Sequence, residues 1–150
     1  MALEIEHKYL VDNALWKNIT PQKSAHIAQA YLCIEPKSTI RIRIKDTQAF
    51  LTIKSKSIED TRDEFEYEIP LGDAIELYNN FCESRVLKNR YVIEHSGFTW
   101  EVDEFMDQNL GLITAEIELK DESVQLINIP DWILEDVTHD DKYKNSNLAK

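Results

Sequence analysis

The chain has 150 residues, with 17 basic and 28 acidic side chains for a formal net charge of −11, 43% hydrophobic residues and 30% charged ones. That length suits one domain spanning the whole chain, within the usual range of roughly 100–200 residues, and the composition excludes a disordered polymer. The acidic balance excludes a sequence-independent grip on duplex DNA or an anionic membrane, which needs a net basic face, and leaves room for a local basic pocket.

The first residues, Met1-Ala2-Leu3-Glu4-Ile5-Glu6, are charged where a signal peptide turns apolar. No apolar run nears the ~20 residues that cross a bilayer, so a cytoplasmic protein is expected. Period-2 alternation, the mark of a strand with two different faces, begins at once. Between Ala2 and Val11, Glu4, Glu6 and Lys8 oppose Leu3, Ile5 and Tyr9. Asp12 or Asn13 can then cap a short helix carrying Leu15 and Trp16. A less polarised strand follows from Ala25 to Ile34. Next, Arg41, Arg43 and Lys45 oppose Ile40, Ile42 and Ile44, and Lys54 and Lys56 alternate with Leu51 and Ile53. Arg62, Glu64, Glu66 and Glu68 alternate with Phe65, Tyr67 and Ile69.

Asp73-Ala74-Ile75-Glu76 has the form of a capping box and predicts a helix to about Cys82, with Ile75, Tyr78 and Cys82 on its packed face. Strand patterns resume with Lys88 and Arg90 against Leu87, Tyr91 and Ile93. Glu101 and Asp103 then stand against Trp100 and Val102, and Glu116, Glu118 and Lys120 against Ile117 and Leu119. A weak helix is expected over Glu122–Ile127, and the tail from Asp131 shows no clear period. The fold class is therefore α+β and strand-dominated, about eight strands in an antiparallel barrel or sandwich with a few helices outside.

Some features are better read as structural. Cys33 and Cys82 stand alone, without CxxC or zinc spacing, as two buried thiols. Trp16, Trp100 and Trp132 suit core packing. Asp107-Gln108-Asn109-Leu110-Gly111 opens like a calcium loop with Glu118 at its twelfth position, but the glycine comes one place early and a strand pattern replaces the exit helix. No P-loop motif is present.

The charged faces are sorted by sign. Glu4/Glu6, Glu101/Asp103 and Glu116/Glu118 are purely acidic, whereas Arg41/Arg43 and Lys88/Arg90 are purely basic. Like charges on one strand face repel, so such sorting points to ligands that each cluster holds. Carboxylates two residues apart, about 6–7 Å along a strand, suit a cation such as Mg²⁺ or Mn²⁺, and arginines at that spacing suit successive phosphates. In a closed barrel with helices covering its apolar outside, these faces line a lumen that a polyanion and a metal neutralise.

Glu4-Ile5-Glu6-His7-Lys8 resembles the ExExK signature of the triphosphate tunnel metalloenzymes, the CYTH superfamily. The order of the later motifs extends the resemblance over essentially the whole chain: Arg41-Ile42-Arg43, Leu51-Thr52-Ile53-Lys54-Ser55, Arg62 to Glu66, Lys88-Asn89-Arg90, Glu101-Val102-Asp103, Glu116-Ile117-Glu118 and the terminal Tyr143-Lys144-Asn145-Ser146-Asn147-Leu148. It implies an eight-stranded antiparallel tunnel that hydrolyses short triphosphates, tripolyphosphate first among them, with Mg²⁺ or Mn²⁺. Lys8, Arg41, Arg43, Lys54, Arg62, Lys88, Arg90 and Lys142 would grip the substrate. Glu4, Glu6, Asp103, Glu116 and Glu118 would hold one or two metals, with Glu64 in support. Lys54, crowded by cations, is a candidate general base, beside a metal-bound water or a glutamate. Thiamine triphosphate, a nucleoside triphosphate, a class IV adenylyl cyclase reaction or non-catalytic binding of polyphosphate are the alternatives. The expected partner is a small-molecule triphosphate, with no nucleic acid and no membrane, and the chain is expected to form a homodimer.

Overall fold

A computed structural model describes residues 2–35, 38–56, 61–121 and 123–149, with only the backbone described at Ala2, Leu3, Glu4 and Thr61. The alternating segments form eight long antiparallel strands: β1 (Ala2–Val11), β2 (Lys23–Ile34), β3 (Ser38–Lys45), β4 (Gln48–Ser55), β5 (Thr61–Ile69), β6 (Ser84–His95), β7 (Phe98–Phe105) and β8 (Ile113–Leu119). A ninth, β9 (Ile133–Asp136), was not readable in the aperiodic tail. The helices are α1 (Asn13–Trp16), α2 (Leu71–Asn80) and α3 (Asn145–Leu148). None is long and apolar enough to cross a membrane.

The strands are hydrogen-bonded in the order β5-β4-β3-β2-β6-β7-β8-β1-β9, and β5 also pairs with β1. That last ladder is short, running from Ala2↔Glu64 to Ile5↔Thr61. Beyond it the same edge of β1 turns to β9, with Tyr9↔Asp136 and Val11↔Ile133. The eight strands thus curl into a tunnel joined at one end of the β1–β5 seam, and the C-terminal segment fills the rest. Tight hairpins hold the register. Ser96 and Gly97 both have positive φ, the two-residue turn whose twist matches that of the strands it joins.

The apolar core lies outside the tunnel. Ile5, Trp100, Val102, Ala115, Ile117 and Leu119 present the outer faces of β1, β7 and β8, and Trp16 of α1 and Trp132 before β9 cover them. Trp132 stacks edge-on to both Trp16 and Trp100, at 5.4 and 6.1 Å between centroids. On the other flank Ala30, Ile42 and Ala49 pack under Ala74 and Cys82. Two large apolar surfaces need two covers, and α1 and α2 supply them.

Local expectations needed four corrections. Asp12 does cap α1, accepting from Ala14 N and Leu15 N, but α2 begins at Pro70 with no side-chain cap, so Asp73 lies in its first turn. The packed face of α2 carries Ala74, Leu77 and Tyr78, while Ile75 is exposed. The helix expected over Glu122–Ile127 is absent from the described residues 123–127: Val124 and Leu126 turn alternately onto the core, a period of two that a helix cannot give. Both cysteines are free, and only Cys82 is buried.

A charged tunnel as candidate active site

Because side chains alternate along a strand, burying the isoleucine and tryptophan faces outside forces the charged faces inward. They enclose a cavity of about 310 Å³ lined by eight basic and seven acidic side chains, in a chain whose net charge is −11. The strand order separates the signs. Arg41, Arg43 and Lys45 of β3 and Lys54 of β4 form one wall, and the ring places β7 and β8, with Glu101, Glu116 and Glu118, across from them. Glu6, Lys8, Arg62 and Glu64 occupy the β1–β5 sector, and Arg90 the opposite side on β6.

Most of these groups are paired. Lys8 Nζ lies 3.3 Å from Glu116, Arg62 2.9 Å from Glu6, Lys54 3.9 Å from its cross-strand partner Glu64, and Arg90 3.3 Å from Glu101. Arg41 is 5% exposed and its Nη2 stands 3.8 Å from Glu66, too far for a hydrogen bond, so its Nε and Nη2 are buried without a hydrogen-bond partner.

Three expected site residues form a closed unit instead of lining the cavity together. Asp103 is 1% exposed and accepts from Arg90 Nε and Nη2 at 2.7 and 2.9 Å, while the fully buried Lys88 approaches Oδ2 at 2.7 Å. Burial alone raises the Asp103 pKa, but Arg90 and Lys88 outweigh it and hold the carboxyl well below its usual range. Burial takes Lys88 down to about 7. Both Asp103 oxygens are committed to cations, so the expected metal ligand is a buried anchor for Arg90, and Lys88 is sealed beneath the cavity lining.

The remaining carboxylates fit a divalent cation. Glu6 stands directly across from Glu118 on neighbouring strands, and Glu101 directly across from Glu116. Like charges so placed repel. Burial and then Glu6, Glu64 and Glu101 raise the pKa of Glu118. At Glu116 burial and Glu6 push upward, but Lys8, Arg90 and Lys88 win and lower it. All the donors are hard carboxylate oxygens, the type Mg²⁺ and Mn²⁺ take, and a small cation keeping several waters needs only one or two of them directly. No group of three or more acidic, histidine or cysteine side chains is gathered into metal-holding geometry among the described residues. The Glu4 side chain lies outside the described part.

The tail, which carries the last motif of the resemblance, supplies further lining. Thr138, Asp140, Tyr143, Lys144, Asn145 and Ser146 border the cavity. Lys8 Nζ donates to Tyr143 O at 2.9 Å and Lys88 Nζ to Asn145 Oδ1 at 3.0 Å, while Leu148 and Ala149 pack on Tyr31, Val86 and Phe105. Gln108 and Asn109, from the loop that resembles a calcium site, donate to Leu148 O and pin this end. Lys142 is exposed, its ammonium over the Tyr143 ring, and Lys144 lines the cavity in its place. Lys45, Glu66 and Glu101 were also missed as site residues. Their signal was present, since each continues an i, i+2 series through Arg43, Glu64 or Asp103.

The chain is 42% identical to an inorganic triphosphatase of Acetivibrio thermocellus over all of its own length and 95% of the other's. It is 32% identical to an inorganic triphosphatase of Nitrosomonas europaea, covering 97% of this chain and 96% of that one. The crystal structure of an inorganic triphosphatase superposes with a TM-score of 0.69 at 31% identity, over 99% of this chain and 95% of the other. The family model of the CYTH domain matches residues 2–147, and the chain belongs to that family.

Proposed function

We propose that this protein hydrolyses inorganic triphosphate to phosphate and pyrophosphate inside the tunnel. CYTH triphosphatases are metal-dependent in general, and the cation we assign here is Mg²⁺ or Mn²⁺. The observation that carries the reading is Arg41, a buried guanidinium with two unpartnered nitrogens bordering a cavity of about 310 Å³. A buried donor without an acceptor is costly, and a phosphate oxygen removes that cost. Tyr31 and Tyr143 are the aromatic residues among the described lining, too few to sandwich a base or a thiazole ring, which favours a substrate with no organic part.

In this reading Arg41, Arg43, Lys8, Arg62 and Arg90 align the phosphate chain, with Lys45 and Lys144 nearer solvent. Glu6, Glu116 and Glu118 hold the cation. The chemistry a bound cation would supply there is neutralisation of the charge that develops on the phosphate oxygens. Lys54 donates to the terminal phosphate and fixes its angle. Glu64, its ion-pair partner, receives the proton from the water that attacks the terminal phosphorus. The bond from that phosphorus to the bridging oxygen breaks, and pyrophosphate leaves with the electron pair.

The test is phosphate release from tripolyphosphate beside ATP and thiamine triphosphate, with Mg²⁺, Mn²⁺ or EDTA, for the wild type and Lys54→Ala. Metal-dependent release that prefers tripolyphosphate and falls at least 100-fold in the variant is expected. Release from none of the three, with tripolyphosphate still raising the melting temperature, would replace hydrolysis by binding.

A further inference from the structure

Gln29 is fully buried, on the tunnel-facing side of β2, with Arg43 as its cross-strand partner on β3. A neutral amide at 0% exposure within a wall of charges is unusual, because a buried polar group must find every partner inside the protein. Its partners define what it does. Oε1 accepts from Arg43 Nε at 3.1 Å, and Nε2 donates to the Tyr31 hydroxyl at 3.3 Å.

The other arginines and the lysines deeper in the wall each have a carboxylate within 4.0 Å. Arg41 faces Glu66, Arg62 faces Glu6, Arg90 faces Asp103, and Lys8 faces Glu116. Arg43 has no carboxylate within 4.0 Å among the described residues, and Gln29 stands where a counter-ion would. An amide can orient a guanidinium through one N–H while leaving its charge intact, whereas a carboxylate in the same place would neutralise it. With Nε committed to Gln29, the two terminal nitrogens of Arg43, a residue that lines the cavity, are the donors left for a phosphate, and such a pair of N–H groups can give it two parallel hydrogen bonds. Burial first, then Arg41 and Arg90, lower the Arg43 pKa to about 9, with Asp103 and Tyr31 pulling the other way but not enough to offset them.

We propose that Gln29 is a positioning residue for the triphosphatase reaction, orienting Arg43 toward a substrate phosphate without neutralising it, and that Tyr31 fixes the amide in the required sense. The proposal rests on the hydrolytic reading of the tunnel.

The test uses the full chain with tripolyphosphate and Mn²⁺. Gln29→Glu keeps the size and the acceptor and adds only charge. Its KM is expected to rise about tenfold or more with kcat within about threefold, and its ligand-free melting temperature is expected to stay equal or go higher. Gln29→Met removes the acceptor at similar volume and is expected to raise KM about fivefold to tenfold. In an Arg43→Ala background both changes are expected to lose their effect on KM, since nothing is left to position. The tripolyphosphate-induced rise in melting temperature in EDTA, which needs no turnover, is expected to shrink in both variants, and it serves as the readout if either loses activity. Wild-type KM in both variants, or effects that simply add to that of Arg43→Ala, would overturn the assignment while leaving the hydrolysis intact. Absence of phosphate release by the wild type itself would instead remove the hydrolytic reading.

Discussion

Arg90 and Asp103 are cross-strand partners joined by two hydrogen bonds, Nε to Oδ1 at 2.7 Å and Nη2 to Oδ2 at 2.9 Å, with Lys88 closing on the same carboxylate from β6. The carboxylate therefore anchors two cations in the tunnel wall. Asp103→Asn leaves Arg90 and Lys88 buried without their counter-charge, which costs about 3–5 kcal/mol. In a domain of this size the melting temperature is expected to fall by about 10 °C. Mn²⁺ affinity, followed by calorimetric titration, is expected to stay near wild type, whereas a metal ligand at this position would lose most of it.

The same carboxylate sets an acid limit. Its folded-state pKa lies well below the value of 3.8 it has when exposed, so the unfolded chain binds the extra proton first. The stability it contributes is fully present above about pH 3.8 and is lost as the pH falls through the folded value. Urea midpoints measured between pH 6 and pH 2 are expected to drop below pH 4 in the wild type, and to drop less steeply in Asp103→Asn.

Glu118 shows the opposite sign. Its carboxylate faces Glu6 directly and is raised above the usual 4.5 by burial and by three neighbouring acids. The ionised form is disfavoured in the fold, so this penalty is fully present above the folded pKa. Glu118→Gln in EDTA at pH 8 is expected to melt about 1–2 °C higher than wild type, the effect of ~0.5 kcal/mol at an exposed site. The gain is expected to narrow toward pH 4.5, where the wild-type carboxylate takes up its own proton. The variant is also expected to need a higher Mn²⁺ concentration for activity.

The tail is held at its far end by Leu148, which packs with Ala149 on Tyr31, Val86 and Phe105. Leu148→Ala removes about 2 kcal/mol or more of that packing. Opening of the tail then becomes about 30-fold more frequent, and trypsin cleavage after Lys142 and Lys144 is expected to accelerate by that factor under conditions where opening is fast. An unchanged cleavage pattern would show that the lining residues from Thr138 to Ser146 stay in place without this anchor.

The eight strands, the capped α1 and the inward charges were legible because each depends on neighbours in sequence. A period of two is imposed by the backbone itself, and the tryptophans and isoleucines on one face oblige the arginines and glutamates to take the other. Nearly all the cavity-lining charges on β1, β3, β4, β5 and β8 follow from that rule. The start of α2 lies earlier than Asp73 suggests, because Asp73 reads locally as a cap while the helix already opens after Pro70, whose carbonyl accepts from Ala74 N.

The sequence by itself determined which residues are charged, which face each strand turns inward and that acids and bases are grouped by strand. Only the tertiary structure decided which charges neutralise one another. Glu101 and Asp103 are identical in local pattern, yet one lines the cavity and the other is consumed by Arg90 and Lys88. Gln29 gained a role only when β3 set Arg43 beside it, and the tail lines the tunnel because β9 carries it along the free edge of β1. Pairings of this kind depend on register between segments far apart in the chain, and electrostatic energy falls with distance in space, which no local pattern records.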